Sequence, residues 1–127
     1  MKPAGPLRIL VVEDHHDSCV LMQRLLARVG HHAVLAESVA AALEAAKSAA
    51  LDMVICDITL PDGDGCALMQ TLRETYGFPA IAVSGHVDEE HKRRAEAAGV
   101  CVHLCKPVKF EELLDAIEEC RSAHTAN

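Results

Sequence analysis

Asp57 closes the apolar run LDMVICD and precedes ITLPDGDG, a stretch rich in turn formers. A buried strand that delivers a carboxylate to its C-terminal end places it where open α/β sheets bind ligands, in the crevice outside the strand ends. Such an aspartate can attack phosphorus and form an acyl phosphate, or help to hold a metal ion. An aspartate at a strand end can also simply form a turn or cap a helix, so the other strand ends must decide. Glu13 and Asp14 follow RILVV, Ser84 follows AIAV, and Lys106 follows VCVHLC. Adjacent carboxylates repel, and gathering Glu13 and Asp14 near a third acid calls for a cation, although Asp14 could instead only cap the following helix. Three carboxylates suit Mg2+, a hard ion that takes oxygen ligands and keeps part of its water shell. A carboxylate beside Mg2+, a lysine and a hydroxyl is equipped for phosphoryl transfer, with Asp57 as the nucleophile.

The elements that must position these groups alternate strand and helix five times. After the first strand, Leu21, Met22, Leu25, Leu26 and Val29 recur at helical spacing over 16–29, and Gly30 stops the helix. Residues 32–36 read as a second strand. Ser38 starts a helix whose inner side is Val39, Ala42, Leu43 and Ala46. The Asp57 strand comes next, then a helix over 64–76 with Leu68, Met69 and Leu72 inward and Gly77 and Pro79 closing it. A strand over 80–83 precedes a polar helix over 88–98 that has only alanines to bury, so it is held weakly. After a fifth strand over 100–105, the last helix turns Phe110, Leu113, Leu114, Ile117 and Cys120 inward, with Glu111 and Glu112 suiting its N-terminus. Right-handed crossovers then require a parallel sheet covered by helices on both faces: a flavodoxin-like (βα)5 three-layer sandwich. With strand order 2-1-3-4-5, Glu13, Asp14 and Asp57 meet at the switch point, and Ser84 and Lys106 flank them.

The 127 residues fit one domain, expected over 7–121, after a Pro- and Gly-rich lead (1–6) and before a frayed tail (122–127). Half of the residues are hydrophobic but none is Trp, one is Tyr and two are Phe, so the core must be aliphatic. A formal charge of −7 argues against direct nucleic-acid or anionic-membrane binding. No apolar run approaches the roughly 20 residues that span a bilayer, and no signal peptide is legible, so a cytoplasmic location is expected. The six cysteines form no CxxC pair and read as small buried hydrophobes in a reducing compartment. Cys101, His103 and Cys105 share one strand face, too nearly in a row to surround a tetrahedral metal. No Gly-rich phosphate loop follows the first strand, which counts against a P-loop NTPase and an FMN binder.

Together RILVVEDH, DMVICDITLPDGDG, AIAVSG and HLCKPV make 7–121 resemble the receiver domain of two-component response regulators. The resemblance implies that Asp57 is the phosphoacceptor for a phosphohistidine and that Glu13 and Asp14 hold Mg2+ with the carbonyl of Thr59. It implies that the Ser84 hydroxyl follows the phosphoryl group on activation, that Lys106 pairs with a phosphoryl oxygen, and that the Lys106–Pro107 peptide is cis. Thr59 and His86 fall at positions that in the family tune the lifetime of the phosphorylated state. His103 stands where most members carry a Tyr or Phe switch, so that coupling is expected to be weaker or pH-sensitive, unless His103 is merely a surface residue.

The implied partners are a histidine kinase or histidine phosphotransfer domain, and a downstream protein or second copy contacting the last two helices. The chain is expected to act through protein contacts rather than as an enzyme beyond its own phosphorylation and dephosphorylation, either alone or as the receiver of a hybrid histidine kinase. Two alternatives remain: a receiver-like interaction module that is never phosphorylated, and a metal-dependent phosphohydrolase. Against the latter, Thr59 rather than a second acid stands two residues after Asp57.

Overall fold

The computed structural model describes residues 5–85 and 88–125. Its elements run β1 (Arg8–Val12), α1 (His16–Arg28), β2 (His32–Ala36), α2 (Val39–Ser48), β3 (Met53–Asp57), β4 (Thr59–Leu60), β5 (Gly63–Asp64), α3 (Gly65–Tyr76), β6 (Ala80–Ser84), α4 (Glu89–Ala97), β7 (Val102–Cys105) and α5 (Phe110–Thr125). The five long strands form one parallel sheet in the order β2-β1-β3-β6-β7. With the small β4–β5 hairpin set aside, this is the expected order 2-1-3-4-5, and its switch point lies between β1 and β3.

Successive strand residues point to opposite faces, and the core divides accordingly. Leu10, Val12, Val54, Cys56, Ala80 and Ala82 pack with Ala42 and Ala46 of α2, Leu68, Met69 and Leu72 of α3, and Ala95 of α4. Ile9, Val11, Met53, Ile55, Ile81 and Val83 pack with Leu26 of α1 and with Leu113, Ala116, Ile117 and Cys120 of α5. Every residue of β3 and β6 is buried, as befits central parallel strands covered on both sides.

Three expectations need correction. The segment after Asp57 is not only a loop: Thr59 pairs with Asp64 and Leu60 with Gly63 in an antiparallel hairpin turned at Pro61-Asp62. The last helix runs to Thr125, past the domain boundary expected at 121. Not all cysteines are buried or half-buried, since Cys105 is exposed; Cys19, Cys56, Cys66 and Cys120 are buried and Cys101 half-buried. The polar α4 does bury only an alanine, Ala95, with Ala98 buried at its C-cap, but Arg94 also reaches Asp64 at 2.6 Å and ties it to the N-terminus of α3.

Candidate functional site

Parallel alignment brings the C-terminal ends of β1, β3, β6 and β7 to one rim. Registers pair Val12 with Cys56, Asp57 with Val83, and Ser84 with Cys105. Glu13, Asp57 and Ser84 are the buried polar residues of the molecule's described part, and all three lie at this rim. Buried charges are tolerated when paired. Lys106 pairs them here: its Nζ donates to Asp57 Oδ2 at 2.8 Å and to Glu13 Oε1. Burial alone would raise the Glu13 pKa, but the hydrogen bonds from Lys106 and from His15 outweigh it and hold the carboxyl below its ordinary range. Lys106 mirrors this, since burial would lower its pKa while Asp57 and Glu13 raise it further. The Lys106–Pro107 peptide is cis.

The other oxygen of Asp57, Oδ1, accepts from the Thr59 backbone N–H at 3.1 Å, so the hairpin that starts at Thr59 grips the acid. The hairpin is anchored in turn. Asp62 accepts from the backbone N–H groups of Val39 and Ala40, at the N-terminus of α2. Asp64 caps α3 by accepting from Cys66 N–H at 2.9 Å. Gly65 then passes so close to β3 that a Cβ there would lie 1.9 Å from the Asp57 carbonyl oxygen.

Asp14 is exposed and lies beside Glu13, with Oδ1 3.5 Å from His15 Nδ1. Sequence reasoning missed His15. Its Nδ1 stands 3.0 Å from Glu13 Oε2, and Glu13 hydrogen bonding with the neighbouring charges of Asp14 and Glu13 raises its pKa. Only its adjacency to the acidic pair could have flagged it. The Glu13, Asp14 and His15 ligand atoms lie within 4.8 Å of one another. After one lysine charge is set against Glu13 and Asp57, the carboxylates of Glu13, Asp14 and Asp57 still carry an excess of negative charge. Carboxylate oxygens with that excess of charge fit a hard divalent ion such as Mg2+.

Ser84 and His103 are brought together: Ser84 Oγ lies 2.9 Å from His103 Nε2, so His103 is a half-buried neighbour of the site and not a surface residue. Burial, with the nearby His91 and Lys92, lowers the His103 pKa. His86 lies outside the described residues. A cavity of about 440 Å³ opens beside Asp57 and Lys106 and runs between α1 and α5, lined mainly by apolar side chains such as Met22, Leu25 and Phe110. No helix among the described residues is long and apolar enough to cross a membrane.

A family profile described as the response regulator receiver domain matches residues 9–118. The chain is 33% identical over 113 residues to two-component response regulator ARR10 of Arabidopsis thaliana, covering 87% of this chain and 20% of that protein. It is 31% identical over 118 residues to sensory/regulatory protein RpfC of Xanthomonas campestris, covering 89% and 16%. To transcriptional regulatory protein ZraR of Escherichia coli it is 30% identical, covering 92% and 26%. The chain thus spans about a quarter or less of these relatives. Among solved structures, a CheY-like receiver domain protein from Methanospirillum hungatei superposes with a TM-score of 0.89 at 24% identity, over 96% of this chain and 98% of that one. The signal receiver domain of an HD domain-containing protein from Pseudomonas fluorescens does so at 0.89 and 25% identity, over 98% and 100%. The profile match over nearly the whole chain, the identities of 30% or more, and the fold agree: the chain belongs to the response regulator receiver domain family, a signalling module.

Proposed function

We propose that Asp57 accepts a phosphoryl group from a phosphohistidine of a histidine kinase or histidine phosphotransfer domain, and that the phosphorylated chain changes the surface it offers to a downstream protein. The observation that carries this is the Lys106 ammonium joined to both Asp57 and Glu13 at one rim of the sheet. In the transfer a carboxylate oxygen of Asp57 bonds to phosphorus as the P–N bond breaks, and the donor imidazole leaves with the electron pair. Lys106 is in place to neutralise charge on the transferred oxygens, and the Thr59 N–H steadies the attacking carboxylate. Glu13, Asp14, Asp57 and the carbonyl of Thr59 would hold Mg2+, which when bound supplies positive charge to the phosphoryl oxygens.

Ser84 supplies the hydroxyl that follows the phosphoryl group, exchanging its present contact with His103. Freed from Ser84, His103 would reorient beside α4, whose nearby His91 and Lys92 disfavour a positive charge on its ring. The weakly packed α4, together with α5, is therefore the surface on which a partner or second copy would read the change. Thr59 and His86 are proposed to tune how long the phosphoryl group persists. The cytoplasm is the compartment in which a cytosolic kinase core could reach it. Similarity to a segment of RpfC and to response regulators supports a receiver either within a larger sensory protein or in a separate regulator.

The test is incubation with acetyl phosphate and Mg2+, followed by intact-mass measurement. Wild type should gain one phosphoryl group and Asp57→Asn none. Uptake by Asp57→Asn, or none by wild type, would refute the assignment; the second result would favour a receiver-like interaction module.

A further inference from the structure

Resting on the metal site just proposed, we infer that His15 adds a nitrogen ligand to the Glu13–Asp14 pair, giving a mixed site that selects late first-row divalent ions such as Ni2+ over Mg2+. The two oxygens of Glu13 are already divided. Oε1 is held by Lys106, and Oε2 accepts from the His15 backbone N–H at 3.1 Å while facing His15 Nδ1 at 3.0 Å, with further lone-pair capacity for an ion. Asp14 Oδ1 stands 3.5 Å from the same nitrogen. Adjacent ligands around an ion with bonds of about 2.1 Å stand about 3 Å apart in an octahedron and about 3.4 Å apart in a tetrahedron. The two separations from His15 match those of neighbouring ligands and all three ligand atoms lie within 4.8 Å of one another, so an ion that displaces the proton shared by His15 and Glu13 would meet all three.

Imidazole suits Ni2+, Co2+ and Zn2+, whereas Mg2+ takes oxygen and water, and affinity of mixed N/O sites rises from Mn2+ toward Cu2+. His15 is 71% exposed at its side chain, so ions can reach it from solution. It occupies the N-cap position of α1 without a side-chain capping bond, so its imidazole is not committed to holding the helix. His16, next in sequence, provides an internal control: it pairs with a single carboxylate, Glu37, at 2.9 Å.

The experiment is calorimetric titration of the whole chain with Ni2+ and with Mg2+, comparing wild type, His15→Ala, His16→Ala and Asp14→Asn, with circular dichroism as the check on folding. Loss of His15 should lower the Ni2+/Mg2+ affinity ratio at least about tenfold, the scale on which the ligand environment alters metal affinity. His16→Ala should leave the ratio unchanged. In proton NMR, substoichiometric Ni2+ should broaden the His15 imidazole first, a readout that a purely structural histidine would not give. An unchanged ratio in His15→Ala, with binding still lost in Asp14→Asn, would overturn this inference alone. Binding of both ions unaffected by Asp14→Asn would overturn it together with the metal-site reading beneath it.

Discussion

Replacing Lys106 by Met keeps the length of the stem and removes the charge that separates two buried carboxylates. Both Glu13 Oε1 and Asp57 Oδ2 hydrogen-bond to the same nitrogen, so no more than about 5 Å separates them. At an effective dielectric of about 20, two negative charges at that distance repel by about 3 kcal/mol. Lys106 is partly exposed and the rim is open to water, so the destabilisation expected at pH 7 is about 1–3 kcal/mol. The sign with pH follows from linkage. Without the lysine one carboxyl has its folded-state pKa raised above the unfolded value near 4.5, so the folded state gains a proton as pH falls and the penalty shrinks. A penalty of about 2 kcal/mol corresponds to a shift of about 1.5 pH units, which places the change between about pH 4 and pH 6. Urea denaturation of wild type and Lys106→Met at pH 7 and pH 4.5, without divalent ions, measures it. A loss under about 0.5 kcal/mol at pH 7, or the same loss at both pH values, would refute the electrostatic account.

Other outcomes follow from the same geometry. In wild type the lowered Glu13 pKa contributes stability that is present above 4.5 and is lost as pH falls through the folded-state value, so acid denaturation should begin below about pH 4.5. Lys106, raised from 10.5, contributes stability present below that value and lost as pH rises through the folded-state pKa; a melting-temperature series from pH 3 to 12 checks both ends. Histidine NMR titration should place His103 below 6.5 and His15 and His16 above it, and a His103 midpoint above 6.5 would contradict its burial against Ser84. Gly65→Ala must push α3 or the Asp57 carbonyl aside. It should cost several kcal/mol, about the 1–3 typical of overpacking or more, and suppress uptake of phosphate from acetyl phosphate; near-wild-type melting and labelling would show that the loop yields more easily than the 1.9 Å approach implies.

Much of this molecule was legible from local pattern. The runs ILVV, MVIC and AIAV are apolar at every position because both sheet faces are covered, and the helices announce themselves by inward residues such as Leu68, Met69 and Leu72. Strand ends are a property of sequence, so the polar groups that follow those runs could be named as site residues without coordinates. The hairpin was less legible, since two-residue strands carry no periodicity, although Pro61-Asp62-Gly63 is a turn signal that could have suggested it.

What only tertiary structure decided is which of these groups touch. Lys106 reaches partners 49 and 93 positions away, and it touches both acids at once because strand order and register bring β1, β3 and β7 to a common edge. His103 acquired its contact with Ser84 through the register of β7 beside β6, whereas His15 meets Glu13 from only two residues away. The end of α5 at Thr125 likewise was not marked by a breaker that sequence could show. Periodicity is written into neighbouring residues, whereas contact between distant side chains depends on the packing of the whole sheet and on rotamers chosen after it forms.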